Sequence, residues 1–375
     1  MLKALFLNFL RAIRALLSRK IEIKCDSIPY EFNRVPLKKI INWILVEASV
    51  FFKTNRPWGW PTHVQIEPTN FCNLKCALCP VTEGLKRPSQ HMDFAAFKKF
   101  IDETQDYLLL IVLWDWGEPF LNPKVFEMIS YAKKRNIKIV SSTNGHIFAK
   151  GDHAEQVVKS GLDSLIFAVD GTSQNTYERY RKGGKLNTVV TGIKQVVAAK
   201  KALQSKTPFI NLRFIAMKHN EHEIPQLHEF ARALEVDAVT LKTLNPHSDG
   251  RIIAHEEYGN EFIPENPGYR RFKYDPRTHA RIRRRYSPCK SLWNCPAIHS
   301  NGDVCTCTFD VNAKYVMGNI DQQSFKKIWK GNSYSSLRCN FREDYQKISI
   351  CSDCTHAFEG GSLNTETIAQ AHFFV

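Results

Sequence analysis

No stretch of this 375-residue sequence is both long and apolar enough to cross a bilayer. The run from Ile40 to Phe52 comes nearest, but it is thirteen residues long and contains Glu47, so it reads as a buried or interfacial helix. The first apolar run is not expected to be a removable export signal. Arg11 and Arg14 interrupt the first apolar run, and no small-residue cleavage site follows cleanly. There is no low-complexity tract. Acidic residues are in short supply, with 37 Asp or Glu against 52 Lys or Arg and a formal net charge of +15. That balance suits anionic membrane surfaces, nucleic acid, or phosphorylated and carboxylated substrates. No nucleic-acid-binding motif accompanies it, so no nucleic-acid partner is expected, and most of the cations read as solvated faces.

What is present begins with 43% hydrophobic residues, enough for one large domain or two modest ones. The eleven cysteines are an odd count in a long chain and fall in metal-ligand spacings, which argues against a secreted disulfide scaffold and for a reducing cytoplasm. At helical spacing Leu2, Phe6, Phe9, Leu10, Ile13 and Leu17 share one face, with Lys3, Arg11, Arg14 and Lys20 mostly off it. Such a basic amphipathic helix can lie in a membrane interface or pack on the body of the protein. Peripheral membrane contact through residues 1–20 is therefore one expectation.

Arg56-Pro57-Trp58-Gly59-Trp60-Pro61 is a breaker-rich linker. After it, strand and helix alternate. Strands are predicted at His63–Glu67, Leu108–Trp114, Lys138–Ser142, Ser164–Val169, Phe209–Ala216 and Ala238–Lys242. Helices are predicted at Phe94–Glu103, Lys124–Arg135, Ala154–Ser160, Thr188–Lys201 and Pro225–Leu234. This βα alternation predicts an α/β fold with parallel strands and right-handed crossovers, as a barrel or an open doubly wound sheet. Four regions follow: a helical extension at 1–56, the βα domain at 57–245, a loop-rich linker at 246–287, and a small cysteine-rich domain at 288–375. The basic run Arg277–Arg285 in the linker is a solvated face or an aid to binding an anionic substrate.

The first predicted strand runs straight into Glu67-Pro68-Thr69-Asn70-Phe71-Cys72-Asn73-Leu74-Lys75-Cys76-Ala77-Leu78-Cys79-Pro80. Three thiolates can hold three irons of a cubane cluster and leave the fourth open. Zinc sites usually draw four ligands, so a triplet without a nearby fourth Cys or His favours the cluster over a zinc half-site. With its Cys-x3-Cys-x2-Cys spacing just after the first strand, the chain resembles the radical S-adenosylmethionine (AdoMet, SAM) enzymes. That resemblance implies a partial (β/α)6 TIM barrel, a [4Fe–4S] cluster on Cys72, Cys76 and Cys79, and AdoMet on the open iron.

Further strand ends carry the same likeness. Trp114-Asp115-Trp116-Gly117-Glu118-Pro119 looks like the family's Gly-Gly-Glu-Pro element, with Trp116 in place of the first glycine. By resemblance, Gly117 and Glu118 would present acceptors to the AdoMet ammonium. Ser142-Thr143-Asn144-Gly145 resembles the Thr-Asn-Gly element near the ribose, placing Asn144 at a sugar hydroxyl. Asp170, in Val169-Asp170-Gly171, would stand near cofactor and substrate. Arg181, in Tyr180-Arg181, would face the AdoMet carboxylate or be a surface cation. Leu78 departs from the family's aromatic residue before the third cysteine, and would pack near adenine through apolar contact.

The C-terminal cysteines read Cys289…Gly302-Asp303-Val304-Cys305-Thr306-Cys307…Cys351-x2-Cys354. This frame resembles the SPASM/twitch extension that carries an auxiliary [4Fe–4S] cluster, with Cys289, Cys307, Cys351 and Cys354 as four ligands. Cys295, Cys305 and Cys339 are then buried thiols or alternate ligands. Spacing alone also admits a zinc site.

The resemblance implies reductive cleavage of AdoMet to a 5′-deoxyadenosyl radical, which takes a hydrogen from substrate. A fully ligated second cluster has no open iron, so electron relay is its expected part, which favours net oxidation. Oxidation of a small-molecule alcohol or sugar leads, with modification of a ribosomal peptide or a lipid-linked molecule as alternatives. A reductant such as flavodoxin or ferredoxin is implied. The contrasting expectation is a non-enzymatic iron–sulfur or zinc protein.

Overall fold

The structure, a computed structural model, describes residues 2–25, 28–245, 261–278, 280–360 and 365–370, and side chains from residue 9 in the first helix. The chain opens with helix α1 (Leu2–Ser18), a two-stranded antiparallel hairpin of β1 (Ile21–Cys25) and β2 (Ile28–Phe32), and helix α2 (Leu37–Phe52). Next come β3 (His63–Ile66), the short helix α3 (Pro80–Glu83), α4 (Phe94–Thr104) and β4 (Leu110–Val112). They are followed by α5 (Val125–Lys133), β5 (Lys138–Thr143), α6 (His153–Lys159), β6 (Ser164–Ala168), α7 (Gln174–Tyr180) and α8 (Leu186–Ala202). Then come β7 (Phe209–Ala216), α9 (Leu227–Ala233) and β8 (Ala238–Thr243).

Strands β3 to β8 pair in sequence order, all parallel, so the six strands form the arrangement expected of a partial barrel. Alternation along each strand sorts its side chains between two cores. Ile111, Ile139, Leu165 and Phe167 join Phe97, Ile129, Val157 and Ile193 of the crossover helices. Leu110, Val112, Val140 and Ile166 point the other way, onto Ile23, Tyr30, Phe32 and Ile40 of the hairpin and α2. The N-terminal extension thus packs on the part of that second face formed by β4, β5 and β6. The hairpin was not foreseen, because two five-residue strands carry too little periodicity to register.

Three C-terminal strands extend the sheet beyond β3: β9 (Ala297–Ile298), β10 (Asp303–Cys305) and β11 (Val316–Asn319). Strand β9 pairs parallel with β3, and β10 and β11 follow antiparallel. At the opposite edge β12 (Thr365–Gln370) pairs antiparallel with β8, giving ten strands among the described residues. Much of the expected loop region at 246–287, residues 246–260 and 279, lies outside the described residues, as do the side chains of Leu2, Lys3 and Phe6.

Candidate functional site

The cysteine loop leaves the C-terminal end of β3 and is pinned by main-chain bonds to the end of α7. Lys75 N–H donates to Lys182 O at 3.1 Å and Ala77 N–H to Tyr180 O at 2.9 Å. Leu74, Cys76, Tyr180, Met217, Leu244 and Phe262 form an apolar cluster around the loop, with Cys72, Leu78 and Cys79 against it. Burial pushes the Cys72 thiol up to about 12, with the charges of Glu118, Cys76 and Cys79 adding to the effect. Burial and Cys76 raise Cys79 likewise. Three soft thiols grouped in a dry shell, where ionisation is opposed until a cation sits among them, fit an iron–sulfur cluster. Leu78 takes φ +59°, a left-handed conformation rare for a branched residue, and its side chain packs on this apolar cluster.

The strand-end residues are brought together and bonded to one another. Gly117 has φ +122°, and a Cβ there would lie 2.4 Å from Thr69 O, so the second strand's loop nests on the cysteine loop's backbone only because of glycine. Glu118 N–H donates to Phe71 O at 2.8 Å. The Glu118 carboxylate accepts from Thr143 Oγ1 at 2.9 Å and from Asn144 N–H at 2.7 Å. Burial raises it to about 7 despite these bonds. Its observed work is to join the ends of β4 and β5. Asn144 Nδ2 donates to Asn73 Oδ1 at 2.8 Å, tying that strand end to the residue after Cys72. Arg181 is no loose surface cation. Its Nε and NH2 both lie 2.6 Å from Asp170 Oδ2, and NH1 is 3.7 Å from Cys76 Sγ. Asp170 Oδ1 accepts from Ile215 N–H at 2.8 Å, so the carboxylate is fully engaged at the fourth strand end.

The second cysteine group gathers residues spread over positions 289–354. Burial holds the Cys307 thiol well above its ordinary range, and the nearby Cys354 and Cys289 push it further. Burial also raises Cys351, followed by Cys307, Cys289 and Cys354. Cys354 is pushed up to about 11 by burial and by Cys289. All three feel Cys289 as a neighbour, and the four together form a thiol set suited to a cluster. The remaining C-terminal cysteines separate in environment. Cys339 bonds Glu343 on its own helix at 3.4 Å. Cys305 lies 3.7 Å from His299 Nδ1. Cys295 is raised to about 12 by burial, then by Asp115 and Cys289, and so stands nearest the group.

Between the two groups lies a polar seam that sequence reasoning missed. Arg87 donates through NH1 and NH2 to Glu67 at 2.6 and 2.5 Å, and through Nε to Val311 O at 2.7 Å. Glu67 Oε1 also accepts from Ser300 N–H at 3.1 Å. Thr308, next to Cys307, donates to Asp115 Oδ1, and Trp116 Nε1 donates to Thr308 O at 3.0 Å. The tryptophan that replaces a glycine thus reaches the C-terminal domain. Ligating atoms of Glu67, Asp115 and His299 lie within 4.8 Å of one another, but the Arg87 guanidinium already supplies the cation for Glu67. These partners are separated by 20 to 233 residues and carry no local spacing signal.

Comparison with known proteins agrees with this geometry. Residues 66–231 match the radical SAM superfamily, and residues 289–355 match the SPASM family, an iron–sulfur cluster-binding domain. The chain is 26% identical over 326 residues to the tungsten-containing aldehyde ferredoxin oxidoreductase cofactor-modifying protein of Pyrococcus furiosus, covering 78% of this chain and 87% of that one. It is 23% identical over 306 residues to the mycofactocin maturase MftC of Mycobacterium tuberculosis, covering 77% and 74%. Among solved structures, SuiB of Streptococcus suis bound to the precursor peptide SuiA matches with a TM-score of 0.57 at 13% identity, over 89% of this chain and 79% of that one.

Proposed function

We propose that this chain, a radical SAM enzyme with a C-terminal SPASM iron–sulfur domain, oxidises an alcohol or sugar-like small molecule by hydrogen abstraction. Cys72, Cys76 and Cys79 would hold the AdoMet-binding cluster, and Cys289, Cys307, Cys351 and Cys354 the auxiliary one. The chemistry the clusters would supply there is one electron for AdoMet cleavage from the first and, at the second, uptake of the electron that the substrate radical gives up together with a proton. The observation that carries the reading is the gathering of buried Cys307, Cys351 and Cys354 around Cys289, close enough that its charge raises all three thiols. Four protein ligands leave no position for substrate and suit electron relay.

The chain's own residues orient and exclude. Arg181, held by Asp170, places positive charge against Cys76, where it would offset thiolate charge. Leu78, Tyr180 and Met217 keep the loop dry and would shield a radical from water. Glu118 and Asn144 lock two strand ends to the cysteine loop, so carbonyls and side-chain oxygens there can meet an ammonium and a ribose without reorganising. A ribosomal peptide is the second reading. The similarity to the mycofactocin maturase, over three quarters of both chains, favours it.

The test is anaerobic. Reconstituted protein with dithionite and AdoMet should release 5′-deoxyadenosine. With the right alcohol, a two-electron-oxidised product should form in step with it. Formation of an isomer without net oxidation would overturn the alcohol reading while leaving the AdoMet chemistry intact.

A further inference from the structure

The N-terminal extension covers the sheet with one side and leaves a second apolar side uncovered. On α1, Phe9, Leu10, Ile13, Leu16 and Leu17 are exposed, Leu17 at 81% and Phe9 at 60%. Their spacing draws one stripe along the helix, while Ala15 faces inward at 3%. On α2, which packs beside α1, Leu37, Ile41 and Leu45 recur every fourth residue and are likewise exposed. The stripe continues to Phe52, whose ring lies 5.7 Å from that of exposed Trp58. The opposite side of α2 is spent on Ile40, Val46 and Val50 in the cores. Two adjacent helices thus each turn one side inward, at Ala15 on α1 and at Ile40, Val46 and Val50 on α2, and leave an apolar stripe exposed among the described residues.

The charges around these stripes choose the occupant. The first 45 residues contain nine Lys or Arg against three Asp or Glu. Arg11, Arg14, Lys20, Lys24, Arg34 and Lys38 are exposed, Lys38 paired with exposed Asp106, and among the described residues of this stretch the exposed acids are Glu22 and Glu31. A second copy of the chain would bring this basic surface against itself. An anionic lipid surface would neutralise it while burying the leucines and aromatics, the arrangement of helices that lie in the headgroup layer. We infer that α1 and α2 together form a docking face for an anionic membrane surface. This inference does not depend on which substrate the enzyme oxidises.

The test uses the full chain, anaerobically reconstituted, floated with vesicles of phosphatidylcholine containing phosphatidylglycerol or of phosphatidylcholine alone. Flotation is expected with the anionic vesicles and at least about tenfold weaker with the neutral ones, falling further as salt rises. The double variant Ile13→Glu, Leu17→Glu changes two exposed side chains and should lose anionic binding about tenfold or more, with 5′-deoxyadenosine formation unchanged. Should that variant misfold, Arg11→Gln with Arg14→Gln should erase the preference for anionic over neutral lipid. Equal flotation of wild type and variants, or no flotation together with concentration-dependent dimers in sedimentation, would overturn the inference, the latter in favour of a second copy.

Discussion

At Gly117 a single missing carbon decides whether two loops can touch. Any side chain there meets Thr69 O at 2.4 Å and must also adopt φ +122°, so Gly117→Ala costs about 1–3 kcal/mol of local strain and displaces the cysteine loop. Iron content after reconstitution should fall by about half, with the auxiliary cluster spared. The thiols divide labour in a way that substitution can separate. Cys76→Ala should abolish 5′-deoxyadenosine formation. Cys351→Ala should leave AdoMet binding, followed by calorimetry, while product oxidation per 5′-deoxyadenosine collapses. Motif residues such as Gly117 and Cys76 were legible because spacing on one strand end announces them. Arg87 was not, since an arginine 20 positions from its partner Glu67 resembles any surface cation until the fold brings them together.

Helix α2 shows how an element can be placed by its sequence and still hide its main tension. Its apolar run was visible, and the structure gives it a buried side at Ile40, Val46 and Val50 and an exposed one at Leu37, Ile41 and Leu45. What the pattern concealed is Lys39, buried at 5% exposure with Nζ 2.9 Å from Leu108 O. Burial lowers its pKa to about 8 from the usual 10.5. The unfolded chain therefore binds the proton more tightly than the folded one, and stability contributed at this site rises with pH between about 8 and 10.5. Lys39→Met should flatten that rise, measured as the melting temperature of the wild type and variant across this range. The six parallel strands were legible because each is a short apolar run between periodic helices. The two-residue strand β9 was not, because nothing so short has a period.

For the whole molecule, the buried pair of Glu67 and Arg87 is one tie between barrel and C-terminal region, beside the pairing of β3 with β9. Both side chains are almost fully buried, at 0% and 4% exposure. Arg87→Ala would strand the Glu67 charge, at a cost of about 3–5 kcal/mol, and would release the bond to Val311. Faster proteolytic cleavage within 288–360 is expected, with the parallel strands β4 to β7 more resistant. Trp116→Phe is the milder probe. It loses one bond to Thr308 O, worth about 1 kcal/mol net, and should lower oxidised product per 5′-deoxyadenosine without slowing AdoMet cleavage.

The parallel pairing of β3 with β9 also sets a timetable. Gln65 and Ile66 lie in register with Ala297 and Ile298, held by Gln65 N–H to Pro296 O and Glu67 N–H to Ile298 O, so the strand feeding the cysteine triplet has a bare edge until more than two hundred further residues are made. At about 5–20 residues per second, that is roughly 10–50 s on the ribosome, during which an unpaired strand and three reactive thiols wait together. An unpaired edge is a template for wrong partners. Nascent chains stalled before residue 297 should therefore depend on chaperones and aggregate when released, whereas chains that reach β9 should not.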